Sequence, residues 1–452
     1  MKPFVTALAL LAFSATLRAG PPEPAPPIAW AVQAGGPKHD KTRGLTIDAA
    51  GNIYMTGEFS GVATFGQFPV ASVGDLDFFI AKYSPDGKCL WVRRAGGTKT
   101  DRGYGVAVDA AGNVFVTGPC QGSDATFDGT AFPNNGDFDL FVASYDASGR
   151  LRWLKSGGGA GYDYGHSVAL DAKGNCYVTG SFAGKGQFAG AEVANPTGAH
   201  TFVAKFANDG ELTWLRVSSG PGGNAGEHVA VDAEGNCVIV GGTSGASKFD
   251  DVALTVPGGR NPFAAKFDAD GKPQWAFTAA GSNSGLFASV ALDGKGEACV
   301  CGMFQTALEL GGQRIESHGL HDVVIAKLDA SGKLKWFRTG GGPSTDYALG
   351  IAADKAGNCF VAGEFTGEAI IANAPLKAIG MRDLYVAKFG DGGALRWIRS
   401  AGGTRSSLAY CVALSPDGGV CVSGAFDGDA AYGATKLTSR GSNDVLLLKL
   451  ER

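Results

Sequence analysis

At 452 residues, 44% of them hydrophobic, the chain is long enough to bury a large core, and its 71 glycines suit many tight turns better than long helices. Lysine and arginine total 39 against 43 aspartates and glutamates, a formal net charge of −4. A mildly acidic chain without a basic run argues against a nucleic-acid partner, and beyond the first twenty residues no apolar run approaches the length of a membrane helix.

Residues 1–20 read as a secretory signal, with Lys2 as the positive n-region, Phe4 to Phe13 as the apolar core and cleavage after Ala19 or Gly20. A secreted or periplasmic chain is therefore expected. Its mature form carries 37 basic and 43 acidic residues, a net charge of −6. Residues 21–27, rich in proline, read as a stiff linker that ends where the repeats begin.

From Trp30 onward one unit recurs. All seven tryptophans, Trp30, Trp91, Trp153, Trp214, Trp275, Trp336 and Trp397, stand at intervals of 61, 62, 61, 61, 61 and 61 residues. A period that regular means one supersecondary unit stacked on copies of itself. The first full unit shows four strand signals. Gly44 to Asp48 ends in a tight turn with Asp48 and Gly51, and Ile53 to Phe59 is interrupted by Gly57. That glycine recurs as Gly118, Gly180, Gly241, Gly302, Gly363 and Gly424, which predicts a bulge or a close backbone approach. A connection of roughly 17 residues follows, too long for a tight hairpin. The third strand, Asp77 to Tyr83, turns through Ser84 to Gly87 into the Trp91 strand.

Helical periodicity is absent. Four short antiparallel strands per unit and seven units predict an all-β seven-bladed β-propeller, with blades at about 43–97, 103–156, 164–217, 226–278, 286–339, 347–400, and 408–450 plus 28–33. The small residues Gly105 and Ala107 alternate with Val106 and Val108, which places this strand innermost and the tryptophan strand outermost. The last unit lacks its tryptophan strand, and residues 28–33 are expected to supply it and close the ring.

Residues 28–452 resemble the bacterial SBBP β-propeller repeats. The resemblance rests on Trp91, Gly96-Gly97, Asp101, and the run Gly103 to Gly118 with its Val-Ala-Val-Asp and Gly-Asn-Val-Phe-Val-Thr-Gly segments. It implies a seven-bladed propeller of an exported or cell-surface protein and no particular activity.

Nine cysteines in an exported chain suggest disulfides, yet nine is odd and most occupy repeat positions held elsewhere by aliphatic or aromatic residues. Cys176, Cys237 and Cys359 share one such position, and Cys299 and Cys421 the next. They read as mostly free, buried fillers, with one incidental bridge allowed.

Up-and-down blades put the long connections and the Gly-Gly…Asp loops on one face, which is the expected binding face. One loop position there holds Asp40, Asp101, Asp163, Asn224, Gly285, Asp346 and Ser407. A ring of oxygens at this position suits a cation such as Ca2+ or sugar hydroxyls, whereas a structural role would have each aspartate bond its own loop. Three residues on, the copies diverge to Arg43, Tyr104, His166, Glu227, Ala288, Leu349 and Tyr410, a mixture suited to a polar or glycan ligand. Tyr162, Tyr164 and Tyr347 are placed to stack on sugar rings or to fill loop gaps.

His318 and His321 form too sparse a set for a metal, and the pairs Asp77/Lys82, Asp322/Lys327, Asp383/Lys388 and Asp444/Lys449 read as strand-end charges on solvated faces. No nucleophile elbow, phosphate loop, dinucleotide fingerprint or zinc helix is present. The expectation is a monomeric, non-catalytic scaffold, without a required cofactor, that binds a protein or a cell-envelope polysaccharide. The enzymatic alternative is a carbohydrate hydrolase or lyase using Glu227, His166 and Tyr104.

Overall fold

A computed structural model describes residues 23–254 and 256–452; the segment read as a secretory signal lies outside them. Among the described residues the chain is all β, and no helix is long and apolar enough to cross a membrane.

The first unit sets the pattern. Its inner strand Asp40–Ile47 pairs with Ile53–Phe59, then Asp77–Tyr83, then the tryptophan strand Cys89–Ala95, all antiparallel. The Asp48 carboxylate accepts the backbone N–H of Ala50 and Asn52, closing the first turn as the Asp…Gly-Asn signal demands. The same four-strand path recurs from inner strands Gly105–Val108, Tyr164–Leu170, Asn224–Val231, Leu286–Leu292, Tyr347–Ala353 and Ser407–Leu414. In the path that starts at Ser407–Leu414 the fourth strand is the N-terminal Ile28–Gly35, paired with Asp444–Leu450.

The long connections are not bare loops. Each described second-to-third connection folds into a hairpin, such as Val62–Phe65 with Phe68–Ala71, whose near strand pairs with the end of the preceding unit's tryptophan strand. Gly157 pairs with Phe188, Gly340 with Ile371 and Gly402 with Ala431 in this way. The relation Ala34 to Phe65 is the same one, made between the N-terminal strand and the first unit. Strands of two to four residues with mixed polarity are too short to register as periodicity.

The apolar core lies between successive units. Val445, Leu447 and Cys421 of the last path pack with Ile53, Met55 and Phe79 of the first. On the outside, most indoles reach the next unit's third-to-fourth turn. Trp153, Trp214, Trp275 and Trp336 donate Nε1–H to the carbonyls of Asn208, Ala269, Ala330 and Asp391 at 2.8–3.0 Å. The ring lies on the turn glycine, where a Cβ on Gly271 would come within 2.7 Å of Trp214. Residues 23–27, part of the segment read from the sequence as a stiff linker, lie beside Trp397. Pro26 is buried, the Ala25 carbonyl accepts from Arg399, and Glu23 N–H donates to the Arg396 carbonyl.

Cys299 and Cys359 are bridged, with Cα atoms 6.4 Å apart, and the other seven cysteines are unbridged, six of them buried. The bridge joins neighbouring rather than equivalent repeat positions, which is why it is within reach.

The recurrent glycine of the second strand proves to be a close approach that serves a bulge on the inner strand. The ladder slips between Thr42 and Gly44 opposite Gly57, leaving Arg43 without a pairing partner, and does so again at His166, Glu227, Ala288, Leu349 and Tyr410. A Cβ on Gly57 would sit 2.0 Å from the Lys41 carbonyl oxygen, and one on Gly180 would sit 1.8 Å from that of Tyr164. No side chain fits there, so the bulge and the glycine require each other.

Two outcomes follow. Gly180→Ala should lower stability by about 2 kcal/mol or more, read as a reduced denaturation midpoint. Deleting residues 21–35 should expose the edge of Asp444–Leu450 and lower Tm by roughly 10 °C or more, as several kcal/mol of packing are lost. A truncated chain that melts like the full one would show the N-terminal strand to be dispensable.

Candidate functional site

The seven inner strands converge on one cavity of about 460 Å³. Their second bulge position is small or polar because the next inner strand is so near. A Cβ on Gly105 would lie 2.7 Å from Val168 N. Where the residue is not glycine, its side chain stitches to the next inner strand. Ser167 Oγ accepts Val229 N–H, Ser289 Oγ accepts Ile351 N–H, and the Cys411 thiol donates to the Arg43 carbonyl at 3.0 Å. His228 Nδ1 lies 3.5 Å from Val290 N, and burial pushes its pKa down to about 4, so it is neutral at pH 7.

The bulge aims the unpaired residue into the cavity, so Arg43, Tyr104, His166, Glu227, Ala288, Leu349 and Tyr410 line it together. Five of them, Tyr410, Arg43, Tyr104, His166 and Glu227, occupy consecutive units and form a polar arc. Ala288 and Leu349 leave the remainder apolar. Within the arc the Arg43 guanidinium lies 4.7 Å from the Tyr104 ring centroid, and Tyr104 stacks on His166 at 5.6 Å. The stack continues to Tyr164 at 5.7 Å from His166, and to Tyr162 at 6.5 Å from Tyr164. Tyr162 is 53% exposed, so a ladder of rings runs from solvent to the cavity. Tyr347 is separate from it and lies tilted against His321, with ring centroids 5.7 Å apart.

Charges around the arc are largely matched. Arg43 grips Glu58 through two nitrogens, at 2.6 and 2.8 Å. Burial alone would raise Glu58, yet His39 and Arg43 hold its pKa down at about 2. Glu227 accepts from Arg260 at 2.8 Å, and His166 Nδ1 faces the Gly226 carbonyl at 2.8 Å and Glu227 at 3.7 Å. Glu364 pairs with Arg382 at 3.0 Å. The sequence reading did not single out Glu58, Arg260, Glu364, Arg382 or Lys41. The ends of the second strand vary among copies as widely as the bulge does (Glu58, Pro119, Ser181, Gly242, Met303, Glu364, Ala425), and that variation was the available signal.

The loop aspartates do not face the cavity. Asp40, Asp101, Asp163 and Asp346 are fully buried, and each takes the N–H of the second loop glycine, Gly36, Gly97, Gly159 or Gly342, at 2.7–2.9 Å. Three of them also bind the next hairpin, through the N–H groups of Gln121, Ala183 and Thr366. This is the loop-binding geometry.

The third-strand aspartates correct the reading of solvated strand ends. Asp77, Asp322, Asp383 and Asp444 are also buried, each accepting the N–H of the residue four places earlier, Val73, His318, Ile379 or Arg440. Lys327 is buried as well, with Nζ 2.8 Å from Asp293, 3.1 Å from Glu297 and in contact with Asp391. Those three carboxylates lie close enough together to hold a cation, and the lysine ammonium fills that role. His318 is exposed and binds only Asp322.

First-strand and third-strand aspartates meet in pairs. A Cβ on Gly96, whose φ is +145°, would lie 2.8 Å from Asp101 Oδ2 and 3.0 Å from Asp77 Oδ1, so this residue must be glycine. Asp77 Oδ1, Asp40 Oδ1 and Asp139 Oδ1 are buried with no hydrogen-bond partner among the described residues. Burial pushes Asp40, Asp101, Asp139, Asp163 and Asp444 up to about 6.

A carboxyl that titrates near 6 when folded and at 3.8 otherwise lets the folded state bind protons the unfolded chain does not. Its stabilising effect is complete below 3.8 and lost as pH rises through 6. His228, lowered from 6.5 to about 4, and His321, also lowered by burial, oppose this over the same window, two groups against five. Below about pH 4 Glu58 and the turn aspartates, whose pKa values are lowered, begin to cost stability. Tm should therefore be higher at pH 5 than at pH 7.5 and fall again below about pH 4. A steady fall from pH 7.5 to pH 5 would show that these pairs do not take up protons.

The sequence profile of the SBBP β-propeller repeat matches residues 29–58 and 90–119. An uncharacterized WD repeat-containing protein, L264, of Acanthamoeba polyphaga mimivirus is 25% identical over 154 residues, 30% of this chain and 11% of that protein. Regulatory protein FlaEY of Caulobacter vibrioides is 28% identical over 170 residues, 36% of this chain and 17% of that protein. The matched regions thus span less than a fifth of either relative. Among solved structures, a gluconolactonase, XC5397 of Xanthomonas campestris, aligns with 76% of this chain and 95% of its own at 15% identity and a TM-score of 0.32. The rhamnogalacturonan lyase YesW aligns over 92% and 91% at 11% identity and a TM-score of 0.28. Two units of this chain thus match the SBBP β-propeller repeat, on a tryptophan period that runs from Trp30 to Trp397.

Proposed function

We propose that this is an exported, non-catalytic scaffold, a single closed seven-bladed propeller that binds a polysaccharide in the cavity on its long-loop face. Closure is supported by the pairing of Ile28–Gly35 with Asp444–Leu450 and by the Cys411 to Arg43 contact between the last and first inner strands. Export rests on the signal-like residues 1–20.

The observation that carries the binding reading is the ring ladder Tyr162, Tyr164, His166 and Tyr104 leading into a cavity edged by Arg43 and Glu227. Flat rings beside fixed charged groups suit pyranose faces and hydroxyls. A scaffold is favoured over a hydrolase because glycoside hydrolysis asks for a protonated carboxyl beside an ionised one. Glu58 is held at about 2 by His39 and Arg43, Glu227 is bound by Arg260, and Glu364, though pushed up by burial, is tied to Arg382.

The test is affinity electrophoresis of residues 21–452 in gels containing soluble polysaccharides. Retardation by at least one polysaccharide is expected, with Tyr104→Ala and Tyr164→Ala each weakening it roughly tenfold at unchanged Tm. Equal retardation of the variants would place binding elsewhere. Absence of retardation together with capture of a protein partner would favour a protein scaffold, and turnover lost on Glu227→Gln would favour the enzyme.

A further inference from the structure

The mouth of the cavity holds more cation than its carboxylates neutralise. Around Tyr410 and Tyr104 stand Lys41, Arg43, Arg102 and Arg382, against Glu58 and Glu364. Both carboxylates are committed, Glu58 to the two-point grip of Arg43 and Glu364 to Arg382. Lys41 and Arg102 are left over. Lys41 Nζ lies 4.4 Å from the Tyr410 ring centroid, with no carboxylate within ion-pair distance among the described residues. Arg102 touches Tyr104 Oη through Nη1 at 3.4 Å, and its Nε is buried with no hydrogen-bond partner among the described residues.

We propose that Lys41 and Arg102 form an anion-binding subsite at the cavity mouth, selecting an acidic polysaccharide whose sugar carboxylate meets both cations. The proposal rests on the glycan-binding reading above and narrows it to uronate-bearing chains.

Three features support it. A half-buried ammonium and a buried guanidinium N–H without an acceptor both lose solvation that an incoming carboxylate restores. The two groups come from adjacent units at equivalent repeat positions, and the other copies there carry Tyr164, Ala225, Leu286, Tyr347 and Leu408, so the charge is confined to one sector. Burial, and next the neighbouring Arg43, lower the Lys41 pKa to about 8, as expected of a cation lacking its counter-ion. The subsite adjoins Arg43, Tyr104 and Tyr410 of the cavity wall, so one chain can occupy both.

The experiment uses residues 21–452 with oligogalacturonate and with the same oligosaccharide after carboxyl reduction, both followed by titration calorimetry. Expected are at least tenfold tighter binding of the acidic form, weakening with added salt, and loss of that preference in the Lys41→Gln, Arg102→Gln double variant while the weak affinity for the reduced form is kept. Both changed residues are partly exposed, and an unchanged Tm of the double variant shows that its fold is intact. Equal affinity for the two oligosaccharides, or a double variant that keeps the full preference, would overturn the anion subsite and leave the glycan reading standing. Failure of both oligosaccharides to bind, when a neutral polysaccharide does retard the protein, would overturn the subsite alone. Failure of every polysaccharide would overturn both.

Discussion

The close approach of backbones around the central cavity governs most of this structure. Inner strands packed as tightly as Gly105 against Val168 cannot carry ordinary side chains toward each other. The chain meets that limit by inserting an extra residue into the inner strand. The extra residue points into the cavity, and the second-strand residue opposite the slip must be glycine because the carbonyl two places before the bulge, Lys41 in the first unit, occupies the Cβ position. Every copy therefore spends its conformational freedom on Gly57 and its equivalents and leaves the bulged residue free to vary. Chemical diversity at Arg43, Tyr104, His166 and Glu227 is a consequence of backbone uniformity beside them.

The same division explains what was legible in the sequence. The tryptophan period is plain because the indole covers the outer edge of the next unit and, at Trp153, Trp214, Trp275 and Trp336, donates to its turn carbonyl, a combination of area and one donor that suits no other side chain as well. Gly57 could be read as a close approach, though not which strand would bulge. The bulge position stood out because its copies disagree while their surroundings agree. Burial was not legible. Asp77 and its equivalents alternate with apolar residues like any strand-end charge, and only the crossing of the Gly-Gly loop over them removes them from water. Lys327 was hidden for a related reason, since its three carboxylates come from two units that meet only after folding.

Ion pairing then separates framework from site. At the junctions, at least one oxygen of each carboxylate is held by backbone N–H groups, which fixes loop geometry. At the cavity mouth, the pairs Arg43–Glu58 and Arg382–Glu364 are side chain to side chain, and they orient the aromatic rings next to them rather than the backbone. Framework aspartates recur in most copies, whereas mouth charges occur once or twice. A residue that recurs with the repeat serves the repeat, and one that breaks it needs a local reason.

That reason differs from sector to sector of the cavity wall. The sector from Ala288 to Leu349 presents small or aliphatic groups to the cavity. The sector from Tyr410 through Arg43 to Tyr104 has rings held under cations, with Lys41 over one and Arg43 over another. A cation held against a ring keeps its charge while giving up water, so its affinity for an anion is set by how many carboxylates already compete for it. Glu58 removes Arg43 from that competition, and no carboxylate among the described residues does the same for Lys41. The position of Glu58 at the end of the first unit's second strand thus decides which cation is structural and which is available, a distinction that arises from one side chain in an otherwise repeated frame.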